Sequence, residues 1–227
     1  MNKTVLLTGA TRGIGKELTK QLTAQGFTVF ATGRTQTLLQ QLKEETGCLG
    51  ATADLSKPEE VTALYAQAKS ELGTVDILIN NAGFNDCKDP VTDISLDNWE
   101  AQYAVNLRAP FLLCQAAMRD MLPKKEGHII NILSTLVWVS QANYSLYSTM
   151  KYALQGFTNC LRKEAQPANI KVTAVCPGGT DSDFRPADRP DYMRSDSVAK
   201  MILQCINAPD DLVVHDLTFR PMIEGNF

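Results

Sequence analysis

The stretch KTVLLTGATRGIG, Lys3 to Gly15, decides the fold. Lys3 to Thr8 is an apolar run of strand length that stops at Gly9, and Ile14, Leu18 and Leu22 then recur on one face of a helix. Strand, glycine turn and helix follow in that order, and the pattern repeats outward from there. Phe27 to Ala31 reads as a second strand, Leu38 to Leu42 lies on a second helix, and Leu49 to Ala53 makes a third strand ending at Asp54. Ser56, Pro58 and Glu59 form a helix start, with proline in the first turn. Val75 to Asn80 (VDILIN) is a buried-strand run closed by Asn81, Ala82 and Gly83, and one long helix is expected from about Leu96 to Met121. His128 to Leu133, Ile170 to Cys176 and Leu212 to Phe219 read as further strands, with helices at Tyr144 to Gln166 and Ser197 to Ile206.

Strands that alternate with helices imply a parallel sheet covered on both faces, because each crossover returns the chain over the sheet. The expectation is one α/β domain spanning residues 1–227, a Rossmann-type doubly wound parallel sheet of about seven strands. The chain shows no internal repeat and no linker. The segment Thr180 to Ser197, with Pro186, Pro190 and mixed charges, reads as a flap over a site, and a solvated surface loop is the alternative.

Composition is that of an ordinary globular chain: 44% hydrophobic, 21% charged, net charge -3 and a pI near 5.5. A general nucleic-acid binder would be basic. The apolar runs are too short to span a membrane and the N-terminus carries a glycine turn in place of a signal peptide's apolar stretch, so a soluble cytoplasmic protein is expected. Cys48, Cys87, Cys114, Cys160, Cys176 and Cys205 are scattered without a CxxC, which predicts buried free thiols. His128 and His215 are too far apart for a metal cluster, so no metal is expected.

Between the first strand and the first helix, Thr8, Gly9, Gly13 and Gly15 spell TGxxxGxG. Backbone amides at such a helix N-terminus can hold a pyrophosphate, and glycines let it approach. The nucleotide-triphosphate loop fails here, because Ala10 stands where its first glycine belongs and Glu17 follows Lys16 where Ser or Thr must bind magnesium. The second strand ends in Gly33 and Arg34, where an NAD site carries an acid for the ribose 2′-OH. Arg34 with Arg12 can instead pair with a 2′-phosphate through charge-assisted bonds, which predicts NADP(H).

A second constellation lies further on. Tyr147 and Lys151 are four apart and share a helix face, so phenol and ammonium can point into one pocket. A free phenol titrates near pH ~10, and a neighbouring cation favours the phenolate and makes the group a usable acid near neutrality.

Taken together these residues resemble the short-chain dehydrogenase/reductase family in its single-domain form. The resemblance runs in order through Thr8 to Gly15, Asp54 with Leu55, Asn80 to Gly83 (NNAG), Asn106, Ser134, Tyr147 with Lys151, and Pro177 with Gly178, as far as Ser182. It implies catalytic roles for Asn106, Ser134, Tyr147 and Lys151, with Asn106 holding a water that links Lys151 to solvent. It also implies cofactor contacts from Gly9, Thr11, Arg12, Gly13, Ile14, Gly15, Arg34, Asp54 (to the adenine), Leu55, Asn81, Ala82, Gly83, Tyr147, Lys151, Pro177, Gly178, Thr180 and Ser182. Thr180 stands where the family often has Val. A structural, helix-kinking role is the other reading of Asn106.

The implied activity is NADPH-dependent reduction of a small carbonyl, or the reverse alcohol oxidation, in a homodimer or homotetramer built on the helices Leu96 to Met121 and Tyr144 to Gln166. Phe84, Leu136, Val137, Trp138, Asn143, Tyr144 and Phe184 are expected to face the substrate, a largely apolar set that favours a hydrophobic ketone or aldehyde. The ending LVVHDLTFRPMIEGNF is more like that of small reductases of hydroxy acids or simple carbonyls than of carrier-protein reductases. Two other classes stand beside this one. A catalytically silent NADPH-binding regulator would have no reason to hold Ser134, Tyr147 and Lys151 together, and an epimerase would more often show TGxxGxxG with a larger C-terminal region.

Overall fold

The computed structural model describes residues 2–184 and 189–225. Seven strands build one sheet: β1 (Thr4–Leu7), β2 (Thr28–Gly33), β3 (Leu49–Thr52), β4 (Ile77–Asn80), β5 (Gly127–Ile132), β6 (Ile170–Pro177) and, after the short β7 (Thr180–Asp181) and β8 (Met193–Arg194), β9 (Asp216–Phe219). The sheet order is β3-β2-β1-β4-β5-β6-β9, and every pairing in it is parallel. The chain starts at the centre, runs out to β3 and returns to β4, so the winding reverses between β1 and β4. Crossover connections leave a crevice at the carboxyl ends of the strands there.

Successive strand residues point to opposite faces, and the continuous apolar runs use both. Val5, Leu7, Val29, Ile79 and Ile130 pack under α1 (Gly13–Ala24), α2 (Gln36–Thr46) and α7 (Ser195–Ile206) through Leu18, Leu22, Leu39 and Ile202. On the other face Leu6, Phe30, Leu78 and Ile129 meet α3 (Pro58–Leu72), α5 (Ala109–Lys124) and α6 (Ser145–Ala165) through Leu64, Leu113, Met121 and Leu161. Burial of each such side chain stabilises the fold by about 1.5–3 kcal/mol.

Three expectations need correction. The long helix is not uniform: α4 (Leu96–Tyr103) passes into a π-helical turn, Ala104–Arg108, before α5. That wider turn carries Asn106, whose amide bonds the Phe84 backbone in both directions, to the carbonyl at 3.0 Å and from the N–H at 3.1 Å. The last strand is shorter than the run Leu212 to Phe219: it spans Asp216–Phe219, and just before it the Val214 carbonyl accepts the Thr173 hydroxyl at 2.7 Å. The flap ends two residues before Ser197, since α7 begins at Ser195; its residues 185–188 lie outside the described residues.

Of the thiols, Cys160 is exposed and the other five are buried. His128 is buried with Nε2 2.8 Å from the Thr173 hydroxyl, whereas His215 is exposed. Among the described residues, no helix is long and apolar enough to cross a membrane, and no group of three or more His, Cys, Asp or Glu is placed to hold a metal ion.

Candidate active site

The crevice between β1 and β4 is knitted by Thr8 and Asn81. The Thr8 hydroxyl accepts the Asn81 and Ala82 amides, each at 3.0 Å, and the Asn81 side chain donates to the carbonyls of Thr8 (2.9 Å) and Gly9 (3.1 Å). Close packing leaves no room for side chains in the turn above. A Cβ on Gly15 would stand 2.1 Å from the Gly9 carbonyl oxygen, and one on Gly9, at φ +63°, 2.8 Å from the Ala82 Cα. Helix α1 starts here with no side-chain cap and no acid in its first turn. Its positive end therefore faces the crevice without a built-in anion, which fits a pyrophosphate. Ile14 packs its side chain into the core, so only its backbone is available at the turn.

Arg12 and Arg34 flank one corner of this crevice. Gly33 at the end of β2 touches Thr11 so closely that a Cβ there would lie 2.6 Å from the Thr11 hydroxyl, and the two arginines are the next residues of the two touching segments. Both are exposed. Asp54 lies nearby, accepting the Ser56 hydroxyl at 2.7 Å and the Ser56 amide at 3.0 Å. Those bonds, with the positive charges of Lys57 and Arg34, hold its carboxyl below the usual range. Leu55 sends its side chain into the core and offers only backbone.

Tyr147 and Lys151 lie one turn apart on α6, both buried. The Lys151 ammonium donates to the Ile132 carbonyl at 2.9 Å and stands 5.6 Å from the centre of the Tyr147 ring. Burial pushes its pKa down to about 8, against a smaller opposing effect of Cys176. Asn106 Oδ1 and Lys151 Nζ face a common space beneath Gly83, where a Cβ would lie 2.8 Å from the first and 3.5 Å from the second. Ser134, at the end of β5, is half-buried and caps a short 3₁₀ turn, Thr135–Val137, by accepting the Leu136 amide at 3.2 Å.

On the far side of the crevice, Pro177 ends β6 and Gly178 donates to the Phe219 carbonyl at 2.8 Å. Thr180 is buried, and its hydroxyl donates to the Gly178 carbonyl at 3.2 Å. Ser182 crosses to the glycine turn, with its Cβ 3.1 Å from where a Cβ on Gly13 (φ +47°) would lie. Phe184 tilts over Tyr147 at a ring separation of 5.9 Å. Trp138 is half exposed beside Ser134's turn, whereas Val137 is buried with Leu133 and Leu154.

Asn80, at the head of the NNAG run, supports the end of β4 from below. It is 2% exposed and donates to the Asn131 side chain at 2.8 Å beneath the crevice floor. The Thr8 bonds to the β4 turn and the Asn80–Asn131 pair went unforeseen. Their partners lie 51 to 74 residues apart, and a polar residue inside an apolar run was the available signal. A cavity of about 330 Å³ lined by Arg189, Pro190, Asp191, Tyr192, Ile223 and Glu224 was equally invisible, and none of the candidate catalytic residues lines it.

A doubly wound parallel sheet with this crevice at its winding reversal defines a Rossmann-like nucleotide-binding class. Within that class the family model for the short chain dehydrogenases matches residues 3–193. An uncharacterized oxidoreductase of Staphylococcus aureus is 31% identical over 229 residues, covering 97% of this chain and 98% of that one. The chain belongs to the short-chain dehydrogenase/reductase family and is an oxidoreductase of that family. Among solved structures it is similar to a serine dehydrogenase in its closed form with NADP+ (TM-score 0.90, 26% identity, 98% of this chain and 96% of that one). It is also similar to a short chain dehydrogenase from Burkholderia cenocepacia in complex with NADP (TM-score 0.86, 32% identity, 96% of each chain).

Proposed function

We propose that the protein is an NADP(H)-dependent oxidoreductase that reduces a small ketone or aldehyde, or oxidises the corresponding alcohol, with Tyr147 as the acid-base group. The observation that carries this reading is the buried Lys151 ammonium one turn from Tyr147 and 5.6 Å from its ring, opening toward the glycine turn's crevice. A cation held there in a buried site favours the phenolate. Arg12 and Arg34 at one corner, with no acid at the end of β2, support a 2′-phosphate and hence NADP(H) over NAD(H). Complexes of similar chains with NADP point the same way.

The glycine turn and the start of α1 would hold the pyrophosphate, Arg12 and Arg34 the 2′-phosphate, and Asp54 the adenine side. When bound, the cofactor supplies the hydride. Tyr147 donates a proton to the carbonyl oxygen as negative charge grows on it, and Ser134 hydrogen-bonds the same oxygen. Lys151 makes the phenol a stronger acid through its charge, and Asn106, facing the same space, would hold a water that resupplies the proton. Phe184 and Trp138 would exclude bulk water and favour an apolar or mixed substrate.

The test is NADPH oxidation against ketoesters, quinones, aldehydes and diketones with product chirality read out, and NADP+ reduction with simple hydroxy acids and with serine, the substrate named for a similar chain. NADPH binding without turnover of any of them would instead support a silent regulator.

A further inference from the structure

Past β9 the chain turns back across the end of β6, and Glu224 fastens this return. Its Oε1 accepts the Gly179 amide at 3.0 Å, and its Oε2 accepts Arg220 Nε and Nη2, each at 3.1 Å. The pair is well shielded, with side-chain exposures of 19% for Glu224 and 11% for Arg220, so solvent screens these bonds less than those of surface pairs. The carboxylate lies close against two consecutive glycines. A Cβ on Gly178 would lie 2.7 Å from Glu224 Oε2, and one on Gly179 would lie 2.6 Å from Oε1 and 2.5 Å from the Tyr192 ring.

Gly179 is the residue from which the flap departs. Its carbonyl accepts the Met193 amide at 3.1 Å, Thr180 follows it into β7, and Ser182 two residues further lies against Gly13 of the glycine turn. A carboxylate that fixes the Gly179 amide therefore sets the direction in which Thr180 and Ser182 leave the sheet. We infer that Glu224 is a positioning residue: through the Gly179 amide it sets Thr180 and Ser182 against the glycine turn of the cofactor's crevice. The inference rests on the proposed function above, in which that crevice takes NADP(H).

Two substitutions separate reach from charge. Glu224→Asp keeps the charge beside Arg220 but is one methylene shorter, about 1.5 Å, and loses the Gly179 amide. Glu224→Gln keeps an oxygen for that amide and loses the charge. In the full chain, NADPH Kd, carbonyl KM, kcat and Tm are measured for both. The expected result is a rise of about tenfold in Kd and KM for Glu224→Asp, with kcat within about threefold of the parent, and near-parent values of all three for Glu224→Gln. The inference is overturned if Glu224→Asp leaves Kd and KM unchanged whatever its Tm, or if Glu224→Gln is as impaired as Glu224→Asp. A parent chain that binds no NADPH overturns the proposed function, and this inference with it; a parent that binds and turns over while Glu224→Asp matches its Kd and KM overturns this inference alone.

Discussion

Lys151 holds its ammonium 5.6 Å from the centre of the Tyr147 ring while donating to the Ile132 carbonyl at 2.9 Å. The second contact fixes the first. Anchored on the end of β5, the lysine cannot swing to solvent, so its charge acts on the phenol one turn earlier in α6.

That geometry predicts a pH limb. Burial lowers the Lys151 pKa to about 8, so the cation is present below that pH and lost above it. In the proposed reaction carbonyl reduction needs both the cation and a transferable proton. Its kcat/KM is expected to fall as pH rises through about 8, and a profile that stays flat from pH 7 to 9 would contradict the assignment.

On the proposed function Tyr147→Phe removes the proton donor, while the ring and its packing against Phe184 are kept. Turnover should drop by about 10²–10⁴-fold, the usual contribution of a positioned acid, with NADPH Kd changed by less than about threefold. Stopped-flow turnover and fluorescence titration check the two halves; near-parental turnover would remove Tyr147 from the mechanism.

Arg34→Asp replaces a cation by an acid where β2 ends. The acid would repel a 2′-phosphate and accept a ribose hydroxyl. NADPH affinity should weaken by about tenfold or more while NADH binding holds or improves. Equal losses for the two cofactors would show that Arg34 does not read the 2′ position.

His128 makes stability depend on acid. Burial, with smaller effects of Lys171 and Lys3, lowers its pKa to about 3, against 6.5 when free. The folded state thus keeps it neutral while the unfolded chain takes up a proton below about 6.5. Stability is full above that pH and declines as pH falls toward 3, by about 2 kcal/mol at pH 5 for this group. Urea unfolding at pH 7.5 and 5 of the parent and of His128→Gln checks this, with the pH difference expected to shrink by about that amount in the variant.

The layered α/β fold was legible because its signal is local. Runs such as KTVLLT and VDILIN record strands buried on both faces, and Ile14, Leu18 and Leu22 record a helix face. The π turn at Ala104–Arg108 was legible only as far as the helix-kinking reading of Asn106; what it bonds, the Phe84 backbone 22 residues away, was not. Val137 reads as a pocket residue in the chain but is buried against Leu133 and Leu154, since an apolar residue after Ser134 serves a wall or a core equally well.

The sequence by itself determined the order of elements, the glycine turn, the absence of an acid at the end of β2, and the four-residue spacing that sets Tyr147 and Lys151 on one helix face. Each of these is written within a few residues of chain, where backbone period and side-chain type suffice. Only the tertiary structure decided the strand order, the meeting of Thr11 with Gly33 that brings Arg12 and Arg34 to one corner, the burial of Lys151, and the Glu224 bond to Gly179. Those depend on which distant segments the two cores press together, and on the desolvation that results, and neither is encoded in any single stretch.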